Sequence, residues 1–389
     1  MQEMTSRERV ETALAHSNPD RVPLDVGGGQ STSLSVEAYE RLKEHLGISA
    51  PTEVLNKTFR VARLDEETLI RLGSDVRPVV LRTGSGPSGP PAREQPVGDA
   101  GTLLDELGVT WRQVQFPGGF YWEQATFPLC EATLDDLDRY SWPDPDDPWR
   151  YEGLADEIER LHRTTDFALM GDCGYKSLWE PAFTLLGFER ALMDLVADEE
   201  FMAALLEKLF AIVSTVTRRF LEITGPYLTV VRTADDLATQ QSLMMSPSTY
   251  RKVIKPFHRR YFALIRQYTD AKIFFHSDGN VVDLLDDLIE IGVDVLNPVQ
   301  VSAFADPELV KQRYGDRLAF WGGIDTQTTL PRGTPQEVAD EVALRIRQFA
   351  DHGGYVLGPV HNILADVPPA NIIAMCEATR THSVRSRDD

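Results

Sequence analysis

Eight short runs of branched, aromatic and small residues recur along the chain, separated by longer amphipathic stretches. This alternation restricts the fold more than any other feature, because it is the pattern of repeated βα units. The runs are residues 22–26, 76–81, 167–171, 227–232, 272–276, 293–298, 318–322 and 355–359. Most are almost continuously apolar, as strands are when both faces of a parallel sheet are covered. The second is the weakest, because Pro78 interrupts it. Between them, residues 192–221, 281–291 and 335–350 repeat apolar side chains at three- and four-residue spacings. Ser246-Pro247 and Thr334-Pro335 each set an N-cap residue before a proline, and Thr5 to Glu8 fits a capping box. Eight strands with intervening helices in 389 residues predict an α/β fold, a (β/α)8 TIM barrel, with a doubly wound open sheet as the competing arrangement.

Residues 83–128 break the rhythm. They begin with a Gly-, Ser- and Pro-rich stretch and continue into short aromatic pieces at 109–114 and 119–122. The expectation is an irregular β-rich insertion covering one barrel mouth within a single domain of residues 1–389, followed by a disordered tail at 382–389. Lys and Arg number 39 against 60 Asp and Glu, a net charge of −21. So acidic a chain lacks the clustered cations that displace counterions from nucleic acid. Three scattered cysteines make no disulfide framework. No apolar run reaches the roughly 18–20 residues of a membrane helix, and the N-terminus has no signal-peptide core, so the expected location is the cytoplasm.

Polar residues follow seven of the runs, at positions a barrel gathers on its C-terminal face, where such folds keep their chemistry. The sharpest set is His276-x-Asp278, whose side chains share a side if the strand continues, together with His361 after the last run. Two imidazoles and a carboxylate suit a catalytic divalent metal, zinc above others. The same residues also permit duller roles: a strand-end histidine often bonds a carbonyl, and Asp278-Gly279 is a turn pair. Asp235 and Asp236 offer a general base or a cap, and Asp325 a further proton-handling carboxylate. Arg232 and Lys176 suit an anionic group or a rim salt bridge. Asp172, Asn297, Gln300 and Asn362 suit hydrogen bonding to a small-molecule substrate.

The residues Arg21 to Leu24, Phe275 to Asn280, Ile291 to Gln300 and Trp321 to Thr326 resemble the uroporphyrinogen decarboxylase superfamily, and more closely its cobalamin-dependent methyltransferase branch. The resemblance implies a (β/α)8 barrel. For the methyltransferases it implies zinc held by a His-x-Cys pair and a later Cys, activating a thiol that accepts methyl from a corrinoid. Here His276 matches the histidine, Asp278 stands where the first cysteine would be, and His361 stands near the second. That exchange keeps three ligands but makes a harder site. The decarboxylases use no metal and grip a polycarboxylate through an arginine-rich N-terminal segment. Here that stretch reads Pro23 to Gln30 without an arginine pair. Asp75 lies roughly where their aspartate falls, although Gly73-Ser74-Asp75 equally makes a turn before a strand.

Three readings follow. The first is metal-dependent methyl transfer, with a corrinoid supplied by a carrier protein, metal at His276, Asp278 and His361, and Asp236, Asp325 or Asp235 handling protons. The second is a metal-free decarboxylase or lyase using Arg232 or Lys176 as an anion grip. The third is a non-enzymatic subunit that docks a corrinoid carrier through residues 83–128.

Overall fold

The computed structural model describes residues 3–82, 101–116, 119–174 and 177–382. Lys176, most of the glycine- and proline-rich stretch and the tail beyond 382 lie outside them. Seven parallel strands form one sheet: β1 (Val76–Val80), β2 (Ala168–Asp172), β3 (Val230–Ala234), β4 (Lys272–His276), β5 (Val295–Asn297), β6 (Ala319–Ile324) and β7 (Tyr355–Pro359). Their spatial order runs consecutively from β7 back to β1. Residues 22–25 close the ring. Leu24 bridges Leu357 in parallel, Asp25 N–H donates to Leu357 O at 2.8 Å, and Asp75 N–H donates to Leu24 O at 2.8 Å. The fold is therefore a (β/α)8 barrel with helices around it.

The first stave is thinner than the expected strand at 22–26 for a local reason. Pro23 has no N–H to give, and Leu24 N–H is taken by the Asp75 side chain at 2.9 Å instead of a backbone carbonyl. Pro78 is tolerated in β1 because that strand ends the regular ladder, paired on one side only with β2. The helical stretch expected over 192–221 divides into Phe188–Ala197 and Glu199–Thr224. Asp198 causes the division: its backbone leaves helical geometry and its carboxylate caps Phe201 N–H.

The barrel interior is filled by Val76, Met170, Val230, Phe274, Trp321 and Val356, with Val10 and Leu14 of the helix Ser6–Leu14 sealing its N-terminal end. At that end Asp75 is fully buried and bound by Arg9 and Arg21, each at 2.8 Å. This corrects the expectation for Asp75. It sits at the start of its strand, on the face opposite the one where β1 to β7 end, and anchors the N-terminal helix.

Asp25, at the end of the first stave, is also fully buried, its oxygens accepting from Gly28 N–H at 2.8 Å and Trp321 Nε1–H at 2.9 Å. Burial pushes its pKa up to about 6. The folded state thus holds this proton to higher pH than the unfolded chain, whose aspartates ionise near pH 4. Stability is therefore lost as pH rises from about 4 to about 6, by about 3 kcal/mol if the shift is fully expressed. Asp25→Asn is expected to flatten this slope. Urea midpoints at pH 4, 5, 6 and 7 test it, and an unchanged slope rejects the assignment.

Residues Thr102–Leu104, Thr110–Phe116 and Gly119–Gln124 form a separate three-stranded antiparallel sheet. Among the described residues no helix is long and apolar enough to cross a membrane.

Candidate metal centre

His276 is the last residue of β4, and the parallel register places it beside Asn297 of β5 and Ala234 of β3. Its ring is 7 % exposed, and Nδ1 lies 2.6 Å from Asn297 Oδ1. Asn297 Nδ2 donates to the Trp321 carbonyl at 3.0 Å, which fixes the amide orientation, because a carbonyl can only accept. The oxygen facing the imidazole is then an acceptor, so Nδ1 carries the proton and Nε2 keeps its lone pair. That is the form in which histidine binds a metal, held by the kind of outer hydrogen bond that metal-binding histidines use. Burial and the Arg232 charge push the His276 pKa down to about 3, so the ring is neutral at ordinary pH.

His276 Nε2 lies 3.9 Å from Asp278 Oδ1, and His361 Nε2 lies 3.9 Å from Asp278 Oδ2. One ligand atom from each residue falls within 4.8 Å of the others. Asp278 Oδ1 is buried and accepts no hydrogen bond, an orphaned anionic atom that a cation would satisfy. The residues fit a divalent ion. The separations exceed the about 3.4 Å between neighbouring ligands of a tetrahedral zinc site with 2.1 Å bonds, and the partly exposed Asp278 and His361 have room to move inward. The turn after His276 is pinned from several sides. Asp278 N–H donates to Asp236 Oδ1 at 2.8 Å and Gly279 N–H to Gln300 Oε1 at 2.9 Å. Gly279 has φ +86°, and a Cβ there would stand 2.4 Å from Thr239 O. Burial pushes the carboxyls of both Asp278 and Asp236 up, and for Asp236 the Asp278 charge adds to it. A cation at the centre favours their ionised forms.

The triad opens on a cavity of about 320 Å³. Asp172, Arg232, Asp236 and Asn362 line it with the triad, so the structure brings these expected residues together. Arg232 is closed on Asp172 at 2.9 Å and also donates to Ser31 Oγ. Asn362 Nδ2 donates to Gln30 O and Ser33 O. Lys176 falls outside the described residues.

Other expected residues stand elsewhere. Asp235 is fully buried and accepts from the backbone N–H of Leu178, Trp179 and Glu180 at 2.8–2.9 Å. His258 Nε2 completes the set at 2.9 Å. Bound by these four donors and with no exposed surface, Asp235 anchors the helix Trp179–Leu186, so its assignment as a proton-handling group is corrected to the cap that its sequence also allowed. Asp325 accepts from Gln327 N–H, Thr328 N–H and the Thr328 hydroxyl, closing its own turn, and is absent from the cavity wall. Its catalytic assignment is corrected likewise. Asn297 and Gln300 are committed to His276 and Gly279, and act on a substrate only through them.

Sequence reasoning missed Glu180 and Trp111, which also line the cavity. Glu180 lies in the first turn of its helix, and its Oε1 accepts from Asp236 N–H at 3.2 Å. Trp111 is held by Asp105 Oδ2 through its Nε1–H at 2.9 Å. A proline early in an apolar helical stretch, Pro181, was a weak signal for the first, whereas nothing in the sequence aimed the second at the barrel.

If Asn297 sets the His276 tautomer, Asn297→Ala is expected to weaken metal affinity by about 10- to 100-fold, the usual cost of losing an outer partner. Competition against a chromophoric chelator measures it; an unchanged affinity would mean that another group fixes the ring.

Fold and site together define a (β/α)8 barrel with a candidate metal centre at its C-terminal face. The chain belongs to the uroporphyrinogen decarboxylase (URO-D) family, whose model matches residues 120–382. A uroporphyrinogen decarboxylase of Chlorobaculum tepidum is 28% identical over 146 residues, which is 36% of this chain and 40% of that protein, so the chain matches less than half of that relative's length. One of Pseudoalteromonas translucida is 24% identical over 305 residues, covering 73% of this chain and 77% of the relative. Among solved structures, a methyltransferase from Methanosarcina mazei superposes with a TM-score of 0.62 at 17% identity, over 97% of this chain and 99% of that one, a likeness of fold.

Proposed function

We propose that the protein is a metal-dependent methyltransferase or demethylase of the corrinoid-linked type acting on a small substrate. The observation that carries this reading is the convergence of His276 Nε2, Asp278 and His361 around an unpartnered buried carboxylate oxygen. A divalent ion held there, zinc by the chemistry of the donors, supplies Lewis acidity toward the substrate heteroatom that gives or receives the methyl group. The chain's own residues do the rest. Asn297 holds the imidazole with its lone pair toward the cavity. Asp236, one hydrogen bond from the Asp278 backbone, is placed to hold or move a substrate proton at its carboxylate. The Asp172–Arg232 pair forms a rigid polar wall. A carrier protein presenting the corrinoid would meet the open side of the cavity.

The names of the curated relatives favour a second reading, a metal-free decarboxylase acting on a carboxylated substrate gripped by Arg232. The cavity lining argues against a polycarboxylate: among the described residues it contains six carboxylates and one guanidinium, itself paired. Elemental analysis of protein prepared without added metal, with methyl transfer from methylcobalamin assayed before and after chelation, separates the two. Metal-free protein whose turnover survives chelators but is lost in Arg232→Ala would overturn the first reading and establish the second.

A further inference from the structure

Two ion pairs border the cavity among the described residues. Arg232 closes on Asp172, and from beneath the wall buried Arg150 pairs with Glu106. No other lysine or arginine lines it among the described residues, and the carboxylates of Asp105, Asp236 and Asp278 face the same space. Asp278 is committed to the metal centre. Asp236 spends one oxygen on Asp278 N–H at 2.8 Å, while its other oxygen accepts from none of the described residues. The remaining wall is apolar and aromatic, with Leu55, Phe59, Val80, Leu107 and Trp111. The Trp111 indole is held in place by Asp105.

Carboxylate excess alone would suit any hydrated cation. Carboxylates beside aromatic faces and alkyl walls suit one that sheds water cheaply and offers methyl or methylene surface. We propose that the substrate taken by this cavity carries an alkylammonium group, protonated or quaternary, received by Asp236 and the face of Trp111. This deepens the methyl-transfer reading and rests on it only in taking this cavity as the substrate site. An anionic substrate would meet the Asp236 charge unneutralised, and a neutral one would leave that charge unanswered in a partly buried place.

Calorimetric titration of the full chain, zinc-loaded and metal-stripped, tests it with choline and tetramethylammonium against the uncharged choline isostere 3,3-dimethyl-1-butanol and against acetate. The expected result is binding of the cations at least about tenfold tighter than the isostere, in keeping with a desolvated cation–π contact plus a carboxylate. Asp236→Asn and Trp111→Leu should each weaken cation binding by about tenfold and leave the isostere unchanged. Equal binding of cation and isostere, tighter binding of acetate, or no cation binding up to about 10 mM overturns the proposal. Cation preference that persists in stripped protein supports it even if metal analysis rejects the methyl-transfer reading, so the two fail separately.

Discussion

The unaltered protein is expected to retain a divalent metal through purification, and His276→Ala to lose it. The ring supplies a neutral, pre-oriented nitrogen from a position 7 % exposed, and the amide side chains Asn297 and Gln300 beside it are already committed. Losing a direct ligand should exceed the 10- to 100-fold effect of losing an outer partner, so a fall of about 100-fold or more in affinity is anticipated. Inductively coupled plasma mass spectrometry and chelator competition measure it. His361→Ala, at a half-exposed position, serves as the companion variant and should also lose metal. Full occupancy in both would remove the triad as a metal site while leaving the barrel unaffected.

The second large effect concerns stability. Asp235→Ala removes the acceptor of three backbone N–H groups and of His258, all in a place with no exposure. Taking one partner from a buried charged network costs about 3–5 kcal/mol, because the remaining donors stay desolvated. Urea denaturation should show that loss. His258→Phe, which keeps the ring volume and leaves the backbone contacts intact, should cost less, about 1–3 kcal/mol. A variant Asp235→Ala with an unshifted midpoint would mean that the helix opening finds other acceptors or water.

The contrast between Asp235 and Asp236 shows where the sequence stops informing. Both follow β3, and both read as acids at a strand end. Neighbouring residues leave an extended chain on opposite sides, so one faces the surrounding helix and the other the mouth. Composition cannot say which; only the register against β4 does, through Ala234 beside His276. The strands themselves were legible to within a few residues, because runs buried on both faces have few polar interruptions. The division of the long helix at Asp198 was hidden, since apolar spacing continues through it and only the cap changes the backbone. The convergence of His276, Asp278 and His361 was readable for the same reason as the strands: both histidines are tied to strand ends. The wall opposite was not, because Trp111 belongs to a sheet outside the barrel repeat, and no periodicity connects that sheet to the mouth.

The contact from the Asn297 amide to the Trp321 carbonyl joins the imidazole to the backbone of β6. Which nitrogen of that ring bears hydrogen is thus decided inside the scaffold, by a main-chain group present whatever side chain occupies position 321. Loops around the entrance could be exchanged, lengthened or recharged without touching this arrangement. A lineage could therefore change what it admits while inheriting the same basic donor beneath, with selectivity and coordination evolving on separate parts of the molecule.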